Sequence, residues 1–193
     1  MHTQKPLIIA FLGKSGSGKG TQVELLKDKL GLEYIGSGNL LRARKQEQDF
    51  TGNKIASIID DGGIVPSPII FELWMRELEK IKDNGPIKGI LIDGSPRKYL
   101  EALLLEEAIA WYDWADNFKV LYLDVSDEEI MDRLSKRGRI DDTEEGIRKR
   151  MEWFNDDVRP VIDFYKNNNR LIEINGEQSV EEVYAEILNK LEL

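Results

Sequence analysis

Leu7-Ile8-Ile9-Ala10-Phe11-Leu12, followed by Gly13-Lys14-Ser15-Gly16-Ser17-Gly18-Lys19, is the stretch that decides the fold. A short, continuously apolar run reads as a strand buried on both faces. The glycines then let the backbone wrap tightly and turn its N–H groups inward. From residue 20 the pattern becomes helical, and it stops at Gly31, a residue suited to a left-handed C′ position. Strand, glycine loop and helix in that order fit G-x-x-x-x-G-K, in which the helix N-terminus adds positive potential for a phosphate. Lys19 is placed to reach terminal phosphates of a nucleoside triphosphate. Gly20 stands where Ser or Thr often follows the lysine, and the hydroxyl comes one place later, at Thr21. A plain glycine-rich turn with an exposed lysine is the competing reading; the strand before it and the helix after it favour the phosphate.

Outward from the loop, similar apolar runs recur at Gly89–Ile92, Val120–Leu123 and Leu171–Ile174, with a weaker one at Leu32–Ile35. Helical patterns lie between them. Residues 67–82 open with Ser67 as N-cap and Pro68 at N1. Residues 97–114 follow a turn. Ser126 with Glu129, and Ser179 with Glu182, read as capping boxes. Thr143 caps a long helix that Pro160 kinks. Strands alternating with helices predict an α/β fold with a five-stranded, mainly parallel sheet. Residues 36–65 break the alternation as helical pieces punctuated by glycines, and read as a small insertion. Residues 138–142 are a very short link between two helices.

Composition narrows the chemistry. The 193 residues are 41% hydrophobic and 33% charged, as in a folded globular chain. With 27 Lys+Arg against 36 Asp+Glu, the net charge of −9 disfavours nucleic acid and anionic membrane as partners. There is no cysteine, so thiolate catalysis, disulfides and Cys-ligated zinc are excluded; the one histidine is His2. No apolar run approaches a membrane span, and no signal-peptide pattern precedes the first strand, so a cytoplasmic chain is expected. Against this acidic background, residues 133–150 carry seven Lys+Arg and four Asp+Glu, a local +3 that leaves −12 for the rest. Arg133 and Arg137 share a helix face with Ile130 and Leu134, and Arg150 flanks the stripe of Ile147, Met151 and Phe154. Arg148 and Lys149 point further round, toward solvent. Trp74, Trp111, Trp114 and Trp153 read as packing residues.

Gly16-Ser17-Gly18-Lys19-Gly20-Thr21-Gln22 resembles the adenylate kinase family of nucleoside monophosphate kinases. Ser37-Gly38-Asn39-Leu40-Leu41-Arg42, Ile64-Val65-Pro66, Asp93-Gly94-Ser95-Pro96-Arg97, and Arg137-Gly138-Arg139-Ile140-Asp141-Asp142 followed by Arg150 are similar to further family motifs, in family order, over residues 7–192. The resemblance implies a P-loop kinase: a core of residues 1–35, 66–137 and 143–193, an NMP-binding insertion at 36–65, and a minimal lid at 138–142. It implies transfer of a phosphoryl group from ATP to a nucleoside monophosphate with Mg²⁺, AMP being the first candidate. No protein partner is implied, and a monomer is the default.

By matched position, the resemblance implies that Gly13, Ser15, Gly16, Ser17, Gly18, Lys19, Gly20 and Thr21 hold the donor phosphates, with Arg133 on the donor base and phosphates. Arg42 and Arg97 would clamp the acceptor phosphate. Arg137, Arg139 and Arg150 would neutralise the transferring group, and Asp93 would hold a Mg²⁺ water. Ser37, Gly38, Ile64, Val65, Gly94 and Glu101 would line the acceptor nucleotide. Arg137 can alternatively serve as a C-terminal cation on the helix dipole, and Asp141 and Asp142 either orient lid arginines or act as helix N-terminal acids.

The sequence departs from the family at Ser15 for a proline, Asn39 for an aspartate, Ser95 for an aromatic and Glu101 for a glutamine. An amide can donate to adenine N1 and accept from N6, whereas a carboxylate only accepts. Glu101 therefore suits guanine N1–H and N2–H₂, or the cytosine amino group, better; alternatively it turns to solvent and base reading is lax. The alternatives kept open are a kinase of altered or broad acceptor base (GMP, CMP or UMP) and a non-catalytic nucleotide sensor. A GTPase is disfavoured because no Asn-Lys-x-Asp motif occurs.

Overall fold

The computed structural model describes residues 5–137 and 143–193, with Arg137 described by its backbone alone. Five strands form one parallel sheet: β1 (Leu7–Leu12), β2 (Glu33–Gly36), β3 (Gly89–Asp93), β4 (Phe118–Asp124) and β5 (Leu171–Asn175), in the order β2-β3-β1-β4-β5. Ile8 of the central strand is in register with Ile90 on one side and Phe118 on the other. The α/β expectation holds, and the weak run at Leu32–Ile35 is a real edge strand, shifted by one residue.

Side chains alternate across each strand, so β1 feeds two cores. Ile8, Ala10 and Leu12 pack with Ile90, Ile92 and Val120 beneath α4 (Ser67–Asp83), α5 (Tyr99–Trp111) and α8 (Arg159–Asn167). Ile9 and Phe11 pack on the other face with Val23 and Leu26 of α1 (Lys19–Leu30) and with Val183 and Ile187 of α9 (Val180–Lys190). Each fully buried aliphatic contributes about 1.5–3 kcal/mol of transfer free energy. Such two-sided burial is what requires the unbroken apolar runs. All five strands point the same way, so the loops after Leu12, Gly36, Asp93 and Asp124 gather at one edge of the sheet, where open α/β folds bind ligands.

Between β2 and α4 lie two short helices, α2 (Ser37–Arg44) and α3 (Phe50–Asp60). On the other flank, α6 (Asp127–Arg137) packs on α7 (Glu144–Trp153) through Ile130, Leu134 and Ile147. Helix ends follow local chemistry. Gly31 takes φ 64° and donates to the Lys27 carbonyl, Thr143 accepts from Gly146 N–H, and Ser179 with Glu182 forms the full reciprocal box.

Several local expectations need correction. Ser67 does not cap α4: Pro66 holds the N-cap position, and the Ser67 hydroxyl donates to Glu101 instead, at 3.2 Å. The Ser126 box is half formed, because Ser126 N–H is taken by Glu177 (2.8 Å) and the Glu129 carboxylate by Arg133 (2.7 Å). The kinked helix is instead α7, one wide turn of π-helix over Phe154–Val158, and α8. Pro160 explains this: it has no N–H to give, and its ring crowds the carbonyl four residues back, so the ladder widens before it. Trp111 is no packing residue, since it is 77% exposed, whereas Trp74 and Trp114 are buried as expected.

Candidate active site

The glycine loop leaves β1 and enters α1 with Gly16 and Gly18 at φ 87° and 94°, a region that side-chain-bearing residues rarely adopt. At Gly16 a Cβ would also lie 2.9 Å from a Leu134 methyl, so α6 closes directly onto the loop. No side chain caps α1, so its first N–H groups stay available to an anion. The Lys19 ammonium folds back over the loop, donating to the carbonyls of Gly13 and Lys14, both at 2.7 Å. From there it lines the cleft in front of the loop.

A cleft of about 1090 Å³ opens in front of this loop. Gly13, Ser15, Gly16, Gly18, Lys19, Gly20 and Thr21 form one wall. Gly38 and Arg42 of α2, Val65, Asp93, Gly94 and Arg97 form the other, and Arg150 of α7 completes the rim. Residues far apart in sequence are thus gathered onto a single cavity. Arg97 donates from Nε to the Gly94 carbonyl at 2.8 Å, and its guanidinium lies 5.5 Å from the ring centre of Trp153. Burial pushes the Arg97 pKa down, opposed by the charges of Glu101 and Asp93. Arg42 is held by Asn39 of its own helix. Asp93, the last residue of β3, is approached by the Tyr34 hydroxyl at 3.5 Å, and burial together with that carboxylate pushes Tyr34 up to about 12.

Beside Arg97 a narrow side pocket is lined by Ser37, Ile64, Val65, Gly94, Ser95 and Glu101, among others. Its polar groups form two buried chains. Trp74 Nε1 donates to the Ser37 hydroxyl at 3.1 Å, and Ser37 is bonded in turn to Ser95. Glu101 accepts from Arg97 N–H (2.7 Å) with one oxygen and from Ser67 (3.2 Å) with the other. It is 2% exposed, so the option of a solvent-facing carboxylate is overturned. The cause is its place in the first turn of α5, where a carboxylate complements unpaired amides. Burial raises its pKa, while the Arg97 amide, Ser67 and the Arg97 charge pull it back.

Two expected residues stand apart from the cleft wall. The Ser17 side chain is buried and its N–H is used within the loop, donating to the Lys14 carbonyl at 3.2 Å. Arg133 is turned to Glu129 (2.7 Å) and to the Gly176 carbonyl (2.9 Å). The side chain of Arg137, and Gly138, Arg139, Asp141 and Asp142 with the whole 138–142 link, lie outside the described residues, as does His2. Sequence reading missed Trp153 and Lys149, both on the cleft. Trp153 falls three residues after Arg150 on α7, a helical spacing that could have signalled a shared face. Lys149 is exposed, as its solvent-facing reading has it, and also reaches Glu145 at 3.0 Å while lining the cavity.

Among the described residues no group of three or more His, Cys, Asp or Glu could by itself hold a metal. One carboxylate at a phosphate site nevertheless fits Mg²⁺, which keeps most of its waters and shares substrate oxygens. Asp93, at the end of β3 on the cleft, could supply that carboxylate.

Glycine loop, strand-end carboxylate and converging arginines together define a P-loop phosphotransferase. The family model for adenylate kinase matches residues 11–170, and the chain belongs to the adenylate kinase family. It is 39% identical to adenylate kinase 1 of Nostoc sp. over 93% of this chain and 95% of that one. Similarity to the adenylate kinase of Phocaeicola vulgatus is 35% identity over 96% and 98% of the two chains. A probable UMP-CMP kinase 2 of Arabidopsis thaliana is 39% identical over 95% of this chain and 68% of its own. No described helix is long and apolar enough to cross a membrane.

Proposed function

We propose that the protein transfers the terminal phosphoryl group of ATP to a nucleoside monophosphate, with AMP as principal acceptor, giving two molecules of ADP. The observation that carries this is the meeting of Lys19 and its loop amides with Asp93, Arg42, Arg97 and Arg150 on one cleft. Residues 36–65 act as the acceptor-binding insertion and 138–142 as a short lid. The Arabidopsis relative's name, UMP-CMP kinase, keeps other acceptors in view.

The chemistry asks little beyond positioning and charge. A monophosphate with a second pKa near ~6 is already mostly a dianion at neutral pH and needs no general base. That suits a chain without cysteine and with a single histidine. Lys19 and the loop amides hold the donor phosphates. Arg42 and Arg97 hold the acceptor phosphate in line with them. Arg150, with Arg137 and Arg139, offsets charge on the transferring group. Asp93 would hold Mg²⁺ through water, and the bound ion would supply further charge neutralisation. Closing the cleft excludes water and so suppresses hydrolysis of ATP.

A second reading rests on Glu101. Its carboxylate lines the side pocket and offers only acceptors, so acceptor discrimination is relaxed toward GMP or CMP. The chain works as a monomer in the cytoplasm, without nucleic-acid or membrane partners. A coupled ADP-production assay with ATP, Mg²⁺ and a panel of AMP, GMP, CMP and UMP tests both readings. Turnover led by AMP supports the first, and comparable turnover with several acceptors supports the second. Nucleotide binding without turnover leaves a nucleotide sensor and overturns both.

A further inference from the structure

The glycine loop carries two lysines, and they do opposite things. Lys19 lines the cleft. Lys14 sends its side chain behind the loop, where it is only 12% exposed. Its ammonium donates to the Val125 carbonyl at 2.8 Å, meets an Asp127 carboxylate oxygen at 2.5 Å, and lies 5.8 Å from the ring centre of Phe154. These partners are the residue just after β4, the first residue of α6 and the first residue of the π turn. The helices fixed in this way are the ones that bring Arg133, Arg137 and Arg150. Meanwhile the Lys14 carbonyl accepts from Lys19 Nζ (2.7 Å) and from Ser17 N–H (3.2 Å). One residue therefore grips the cation-bearing helices with its side chain and the phosphate-binding lysine with its backbone.

We infer that Lys14 is a positioning residue for the donor nucleotide: its buried ammonium fixes the glycine loop against α6 and the Phe154–Val158 turn, so that loop amides, Lys19 and the helix-borne arginines keep one spacing. The physical ground is twofold. A charged donor on a buried carbonyl makes a stronger bond than a neutral pair, and the Phe154 face offers the same charge a second, dry contact. The Asp127 carboxylate is 55% exposed, so screening makes it the weaker of the partners. None of Lys14, Val125, Asp127 and Phe154 lines the side pocket, and none is bonded to Arg42 or Arg97. Misplacing the loop should therefore be felt by ATP and not by the monophosphate. This rests on the reading of the cleft as an ATP-dependent phosphotransfer site.

The test is steady-state kinetics of Lys14→Met and Asp127→Asn, varying ATP at saturating monophosphate and the reverse, with circular dichroism and thermal melts alongside. For Lys14→Met the ATP KM should rise about tenfold or more and kcat should fall, since small misplacements of reacting groups cost up to ~10²-fold. The monophosphate KM should stay within about twofold, the scatter of a site left untouched. For Asp127→Asn the ATP KM should rise about two- to fivefold, the range of a half-exposed ion pair. A folded Lys14→Met with an unchanged ATP KM overturns the inference, as does an equal rise in both KM values, which marks general loosening. If Lys14→Met does not fold, Asp127→Asn decides alone, and an unchanged ATP KM there is again fatal. A wild type without phosphotransfer would instead reject the underlying reading of the cleft.

Discussion

At the glycine-loop end of the cleft the groups on offer are backbone amides, a lysine ammonium and the open start of α1. At the Arg97 end they are hydroxyls, an indole N–H and one carboxylate, nearly all withdrawn from water behind the guanidinium. The first set suits a polyanion that any nucleoside triphosphate presents. Such a site tolerates variation because charge acts at a distance and the amides belong to the backbone. The second set has direction. Each short hydrogen bond fixes the next, from Trp74 through Ser37 to Ser95, and from Ser67 through Glu101 to the Arg97 amide. On the proposed reading, one end would contribute transition-state charge and the other selection.

Four measurements can break or sharpen that contrast. The largest effect belongs to the charged end. Lys19→Met should lower phosphotransfer by at least ~10²–10³-fold, as for loss of an electrostatic stabiliser, while circular dichroism stays native. Near-wild-type turnover would remove the ammonium from the chemistry. Next comes Glu101→Gln, which restores an N–H donor toward the side pocket. A mismatched buried hydrogen bond costs ~1–3 kcal/mol, so kcat/KM for AMP relative to GMP and CMP should rise about fivefold to more than a hundredfold. ATP affinity should not move. If the acceptor ranking stays the same, the carboxylate serves only the helix terminus.

A smaller change is expected for Trp74→Phe, which deletes the donor to Ser37 while keeping an aromatic in the core. Losing one buried hydrogen bond of ~1 kcal/mol should raise the monophosphate KM several-fold and leave the ATP KM alone. An equal shift in both would deny that the two ends are separable. The slightest effect concerns stability. Burial holds the Glu101 carboxyl above its ordinary pKa, so the folded chain keeps this proton to higher pH than the unfolded chain does. Stability from this group is therefore complete below the ordinary glutamate range, falls as pH rises toward the raised value, and levels off above it. Denaturant titrations across acidic to neutral pH should show wild type losing ground to Glu101→Gln in that window. Parallel curves would mean that Arg97 N–H and Ser67 fully offset the burial.

The same contrast explains what could be read from the sequence. The sheet, the glycine loop and most helices are local patterns: apolar runs, turn glycines and caps lie within a few residues of each other. Ser67 shows the limit. As a residue before a helical pattern it reads as a cap, and only folding brings Glu101, 34 positions away, to compete for its hydroxyl. Lys14 likewise reads as one more loop cation until β4 and α6 arrive beneath it. Arg133 was expected at the donor, yet Glu129 one turn earlier and the Gly176 carbonyl claim it here. Trp153 reads as a packing residue and does pack against the core of the sheet, but its ring is also the platform for Arg97. Where a side chain's partner is distant in sequence, composition does not say which neighbour wins.

The wide turn at Phe154–Val158 also sets helical phase. Ahead of it, Ile147 serves the small core shared with α6; from Phe154 onward, Val158, Val161 and Tyr165 serve the core of the sheet. An α-helix advances about 100° per residue, so a single residue gained or lost changes which way everything beyond it faces. Tightening this turn to ordinary α geometry with no residue removed would leave every cleft side chain present. It would also rotate α7 by nearly 100° against α8, carrying Arg150 and Trp153 away from the cleft together. The width of that turn is thus a constraint on the site as strict as the identity of its arginines.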